Sequence, residues 1–148
     1  MTLDGVFSPT ARAAIIEAGH GRCIGDGRPD VTTQHRRARG MGGTSDVAIG
    51  HPANGVPLCG DGVRGCHGWA EHNPIDAALL GWRLVAGELA TVAPFWDRTY
   101  GWRRWTADGF LEYVDQAEDL DLVPQRLAAL ARFQLARPPH VEYHKPTR

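Results

Sequence analysis

Long apolar runs, lysine and paired cysteines are what this chain lacks, and each lack excludes something. No stretch approaches the roughly 18 apolar residues of a membrane-spanning helix, so membrane insertion is not expected. The first nineteen residues, MTLDGVFSPTARAAIIEAG, have no basic start followed by an apolar stretch, which argues against a secretion signal and for a cytoplasmic location. Three cysteines are an odd number, which argues against a closed disulfide framework and for reduced thiols or metal ligation. Lysine appears once, at Lys145, so nearly every cation is arginine. Recognition chemistry and coding bias both account for that excess. With 148 residues, 43% of them hydrophobic and 22% charged, the chain is read as one soluble domain with a real core, too short for two large ones.

A net charge of −1 does not by itself point to a strong non-specific nucleic-acid binder. The distribution says more. Residues 22–39 hold Arg22, Arg28, Arg36, Arg37 and Arg39 against Asp26 and Asp30, a local net of +3. Residues 111–125 hold Glu112, Asp115, Glu118, Asp119 and Asp121 and no cation, a local net of −5. Such asymmetry suits contact with a polyanion through one face, although scattered solvated charge gives the same counts.

Local signals order the rest. Ser8-Pro9 before TARAAIIEA, closed by Gly19, predicts a helix over residues 9–18. Val31-Thr32-Thr33 is a short β-prone patch leading into His35, and Val56-Pro57-Leu58 can be the second strand of an irregular hairpin. From Cys66 the chain reads helical, and Asn73-Pro74 restarts a second helix, IDAALL, that stops at Gly81. WRLVAGEL, from Trp82, alternates like a strand, and Asp108-Gly109 signals a turn. From Pro124, apolar residues at 127, 130, 131 and 135 have helix periodicity, ending before Pro138-Pro139.

The chemistry concentrates between Gln34 and Glu71. Hydrolysis of a phosphodiester with one metal needs a base for water, a divalent cation at the leaving oxygen, and positive groups on neighbouring phosphates. His35 suits the base, because free imidazole titrates near neutrality, and Arg36, Arg37 and Arg39 stand beside it for DNA phosphate. His67 and Glu71 are four apart on a predicted helix, so they share a face and can share a Mg, Mn, Ni or Zn ion. Asn54 can hydrogen-bond across the hairpin and hold the His35 loop without doing chemistry. Taken singly, these residues also read as a surface histidine, a helix-surface pair and a turn residue; their order and context carry the weight.

The cysteines form a second candidate site. Cys59 and Cys66 flank a six-residue loop, GDGVRG, and Cys23 lies upstream. A structural zinc wants four ligands; Asp26, three residues after Cys23, or His20, three before it, can be the fourth. Alternatively the thiols are simply buried apolar residues.

As a set, HRRARGMGG, N-x-x-x-LCG and GCHGWAE followed by GW resemble the HNH endonuclease family, in particular the small HNH proteins of phages of actinobacteria, over residues of about 20 to 110. The resemblance implies an α+β fold: a small irregular domain around a ββα-metal (His-Me finger) core with flanking helices. It would comprise residues 1–110, followed by an acidic, then helical, extension over 111–148. It implies a metal-dependent endonuclease on double-stranded DNA, with His35 as base, Asn54 as the middle asparagine, His67 as metal ligand and Glu71 as an additional one. It also implies one divalent cation, a zinc knuckle supporting the hairpin, and phage packaging or host proteins as further partners. The position before the base, usually a metal-binding histidine or aspartate, is Gln34, a neutral and poorer ligand. The upstream C-x-x-C half is reduced to Cys23. These departures motivate an alternative: an HNH scaffold kept as a DNA- or protein-binding module.

Overall fold

A computed structural model describes residues 6–38, 47–115 and 122–136. Arg39 and the RGMGG run it opens lie outside the described residues, as do Glu118, Asp119 and Asp121 of the acidic stretch.

The first helix, α1 (Pro9–Ala18), starts and stops where its caps dictate. The Ser8 hydroxyl accepts from Ala11 N, Pro9 occupies the first turn, and the chain leaves at Gly19. Ala11, Ile15 and Ala18, spaced four and three, form its buried face. That face lies on a two-stranded ribbon of β1 (Val31–His35) and β2 (Gly55–Cys59), paired antiparallel with His35 opposite Gly55 and Val31 opposite Cys59. Two short 3-10 turns, Val47–Gly50 and Pro52–Asn54, lead into β2. All five β2 residues are buried, because α1 covers one face of the ribbon and α2 (Gly65–His72) contacts β2 from elsewhere. Asn73-Pro74 separates α2 from α3 (Pro74–Leu79). Gly81 then reverses the chain at φ +77°, where a Cβ would collide with the Pro94 carbonyl.

The alternation of WRLVAGEL does not make a strand. Trp82 is fully buried and Leu84 N donates to Arg36 O, but no described strand lies alongside to complete a ladder. Val85 N turns back onto the Glu88 carboxylate, and Gly87 sits at φ +90°, so the segment is a loop. The strands come later: β3 (Phe95–Asp97), β4 (Gly101–Trp105) and β5 (Leu111–Tyr113) form an antiparallel sheet in that order, with Asp108-Gly109 in the β4–β5 turn.

The last helix, α4 (Val123–Ala136), belongs to the same core. Its Phe133 ring stands edge-on to Trp69 and Trp82 at 4.9 Å each, and 6.4 Å from Trp96. Burying such a ring contributes about 1.5–3 kcal/mol. Arg132 on α4 clamps Asp76 on α3 through two hydrogen bonds of 2.8 and 2.9 Å. The molecule is thus a small α+β fold with helices and two small antiparallel sheets, and β5 and α4 carry its packing past residue 110. No described helix is long and apolar enough to cross a membrane.

Candidate functional site

Two groupings of chemically capable side chains flank the ribbon. In the first, the ligand atoms of Cys23, Asp26, Cys59 and Cys66 all lie within 4.8 Å of one another. Sequence places them: Cys23 and Asp26 on the loop before β1, Cys59 at the end of β2, Cys66 in the first turn of α2. Tetrahedral zinc with bonds of about 2.3 Å sets its ligands roughly 3.8 Å apart, so the grouping has the size and donor set of such a site. Backbone amides already aim at the sulfurs: Gly25 N donates to Cys23 Sγ at 3.3 Å and Cys66 N to Cys59 Sγ at 3.4 Å. All three cysteines are buried, and none is joined in a disulfide. Burial opposes charge on Cys23, but hydrogen bonds from the Cys59 and Cys66 thiols outweigh it and hold Cys23 well below the usual thiol range. Those same bonds to Cys23 push Cys59 and Cys66 up. The thiols thus oppose one another's ionisation, and a divalent ion would supply the charge that lets all three ionise. Asp26 stands where a second C-x-x-C cysteine would, and the other candidate, His20, instead lies against Tyr100.

The second grouping is spread along β1. Asn54 is buried and makes three hydrogen bonds: its Oδ1 accepts from Arg37 N at 2.8 Å, and its amide donates to Arg37 O and Ile49 O. It therefore fixes the backbone just past His35. The His35 ring stacks on Phe7, centroids 4.0 Å apart and 13° from parallel. Two residues back on the same face of the pleat, Thr33 Oγ1 accepts from Arg12.

His67 meets the opposite face. Its Nδ1 lies 2.8 Å from Thr32 Oγ1, whose own proton is directed at the Leu58 and Gly60 carbonyls. A hydroxyl has one proton, and with two carbonyls in reach of it Thr32 can accept from the ring, the tautomer that carries hydrogen on Nδ1 and leaves Nε2 its lone pair. Burial holds the His67 pKa below the free-imidazole value, with Glu71 and Asp61 pulling the other way. Gln34 shares the Thr32 face: it is buried, its amide donates to Trp82 O at 3.1 Å, and its Oε1 has no hydrogen-bond partner among the described residues.

One of these placements, that of Arg36, corrects the sequence reading. His35 stacks on Phe7, while His67 contacts Thr32, three positions back on β1, where alternation turns side chains to the other face of the strand. Glu71, expected to share a cation with His67, is exposed, pairs with Arg83 at 3.6 Å and lies close enough to His67 to favour its charged form. Arg36, expected on DNA, is buried and gives its donors to five backbone carbonyls, of Ala53, Gly81, Ala90, Ala93 and Pro94. Burial lowers its pKa to about 10, against the pull of Glu88, so it stays charged at neutral pH as an internal staple. Arg37 is half-buried and donates to Glu88 O.

Thr32, Arg12 and Phe7 were not anticipated. Period-two alternation could have paired Thr32 with Gln34; nothing local marks Arg12 or Phe7. Compared with protein-family models, curated proteins and solved structures, the chain matches none. Fold and donor sets define it as a small α+β protein with a cluster of three cysteines and an aspartate fit for a metal.

Proposed function

We propose that this chain is a metal-dependent endonuclease of the HNH type acting on double-stranded DNA, in which β1, β2 and α2 form a ββα-metal unit braced by zinc at Cys23, Asp26, Cys59 and Cys66. The observation that carries this reading is the 2.8 Å contact of Thr32 with His67 Nδ1, which allows the tautomer with Nε2 as a donor, while Gln34 Oε1 stays unpartnered on the same face of β1. These two atoms would hold a divalent cation, Mg, Mn, Ni or Zn. When bound, it would offset charge developing at phosphorus and on the leaving oxygen.

His35, at the end of β1, takes a proton from the attacking water. Asn54 keeps it in place through the backbone of Arg37, and Phe7 fixes the plane of its ring. Among the described residues β1 pairs with no strand but β2, which leaves one edge without a strand partner. A phosphodiester lying along that edge would be met from one face by His35 and from the other by His67. The test is plasmid cleavage by the full chain with each cation: nicking or linearisation is expected, and His35→Ala should reduce it by at least about a hundredfold. A native protein inert with every divalent ion refutes the catalytic reading.

A second reading has its own support. The opposed faces of the two imidazoles and the inward turn of Gln34 suit a scaffold that binds DNA without cutting it. Salt-sensitive duplex binding without cleavage would favour it.

A further inference from the structure

A cleft of about 170 Å³ lies away from the hairpin site, between the end of α1, the Cys23–Gly27 loop and the β3–β4 turn. Two arginines close on it over one glycine. Arg22 Nη1 donates to Gly27 O at 3.0 Å, and the Arg98 guanidinium packs where a Gly27 Cβ would stand, a position open only because Gly27, at φ +83°, has none. Both arginines are exposed, and neither has a carboxylate partner among the described residues. Both cations border one cleft, which favours an anion there.

Hydrogen bonds and an ion pair tie the walls of the cleft together. Arg98 N donates to Ile24 O at 2.8 Å, tying the turn to the loop. Buried Asp97 accepts from Thr99 N and Tyr100 N while pairing with Arg103 at 2.6 Å. Arg103 in turn lies 4.7 Å beneath the Tyr100 ring. On the far rim His20, the one non-glycine residue with positive φ among those described, presents its ring to Tyr100 at 5.4 Å. Planar guanidinium forks match the paired oxygens of a phosphodiester, and flat rings beside them suit sugar and base edges.

We infer that this cleft is a second DNA-contact site, in which Arg22 and Arg98 grip a backbone phosphate of the duplex engaged at β1. The inference rests on the DNA-binding reading above and not on cleavage. The test is an anisotropy titration of a short duplex with zinc-loaded full chain carrying His35→Ala, with and without Arg22→Ala/Arg98→Ala, between about 50 and 200 mM salt. The double variant is expected to bind about tenfold more weakly at low salt and to show a log–log salt slope shallower by about 1 to 2, each lost phosphate contact removing close to 0.9. Arg22→Lys/Arg98→Lys should keep the slope, and zinc content should be equal in all. An unchanged slope overturns the inference, as does absence of duplex binding by the native protein. Loss of zinc from the double variant also overturns it, since the arginines would then be offsetting the charge of the cysteine–aspartate cluster. A protein that cuts DNA but keeps its slope fails here alone; one whose slope falls but that never cuts fails the nuclease reading alone.

Discussion

Thr32 and His67 are joined at 2.8 Å across the ribbon, and the hydroxyl, with the Leu58 and Gly60 carbonyls in reach of its own proton, can accept from the ring. Removing that hydroxyl frees the ring to change tautomer. Thr32→Val is expected to lower the apparent affinity for the cation proposed at His67 by about 10- to 100-fold. A titration of cleavage against Mn²⁺ reads this directly, and an unchanged Mn²⁺ dependence would remove Thr32 from the site.

His67 is expected to titrate below the free-imidazole value of about 6.5, because burial penalises its charged form. With the folded pKa depressed, the unfolded chain binds more protons in that interval. Stability is therefore full above about 6.5 and falls as pH drops toward the lowered folded value. Thermal unfolding across this window should show a weaker pH dependence in His67→Asn than in the native chain. Proton NMR should show the midpoint itself; one at or above 6.5 contradicts the burial argument.

The grouping of Cys23, Asp26, Cys59 and Cys66 predicts one tightly held zinc per chain. Cys66→Ser should release it and lower the melting temperature sharply, because metal binding and folding are linked. Asp26→Cys, which completes a four-thiolate set, should hold zinc more tightly than the native chain under chelator competition. Equal metal content in native and Cys66→Ser protein would dismiss the site.

Phe133→Ala should cost about 3–5 kcal/mol in denaturant unfolding, since it empties the space between Trp69, Trp82 and Trp96. A cost under about 0.5 kcal/mol, typical of surface positions, would mean that α4 is an appendage.

Arg36→Met should destabilise the fold by about 3–5 kcal/mol, the range for breaking a buried charged network, by leaving its carbonyl acceptors without donors. At temperatures where the variant is folded, its salt slope for DNA should equal that of the native chain. A shallower slope would return Arg36 to the DNA surface.

What the sequence determined by itself is what local chemistry controls. Ser8, Pro9 and Gly19 set the limits of α1, Asn73-Pro74 divides α2 from α3, and the β-prone patch at 31–33 leads into His35 in a real strand. Asp26 was already a fourth-ligand candidate beside three cysteines, from spacing alone. Tertiary structure decided the rest. Arg36 looked like a DNA contact because its neighbours are basic, yet its acceptors come from positions 53 to 94, brought together only by folding. WRLVAGEL has a strand's alternation but no described neighbour to pair with, so its backbone bonds go to Arg36 and Glu88 instead. Whether His35 and His67 share a face depends on the strand register and on where α2 docks. Alternation fixes the faces of one strand; only packing decides what each face meets.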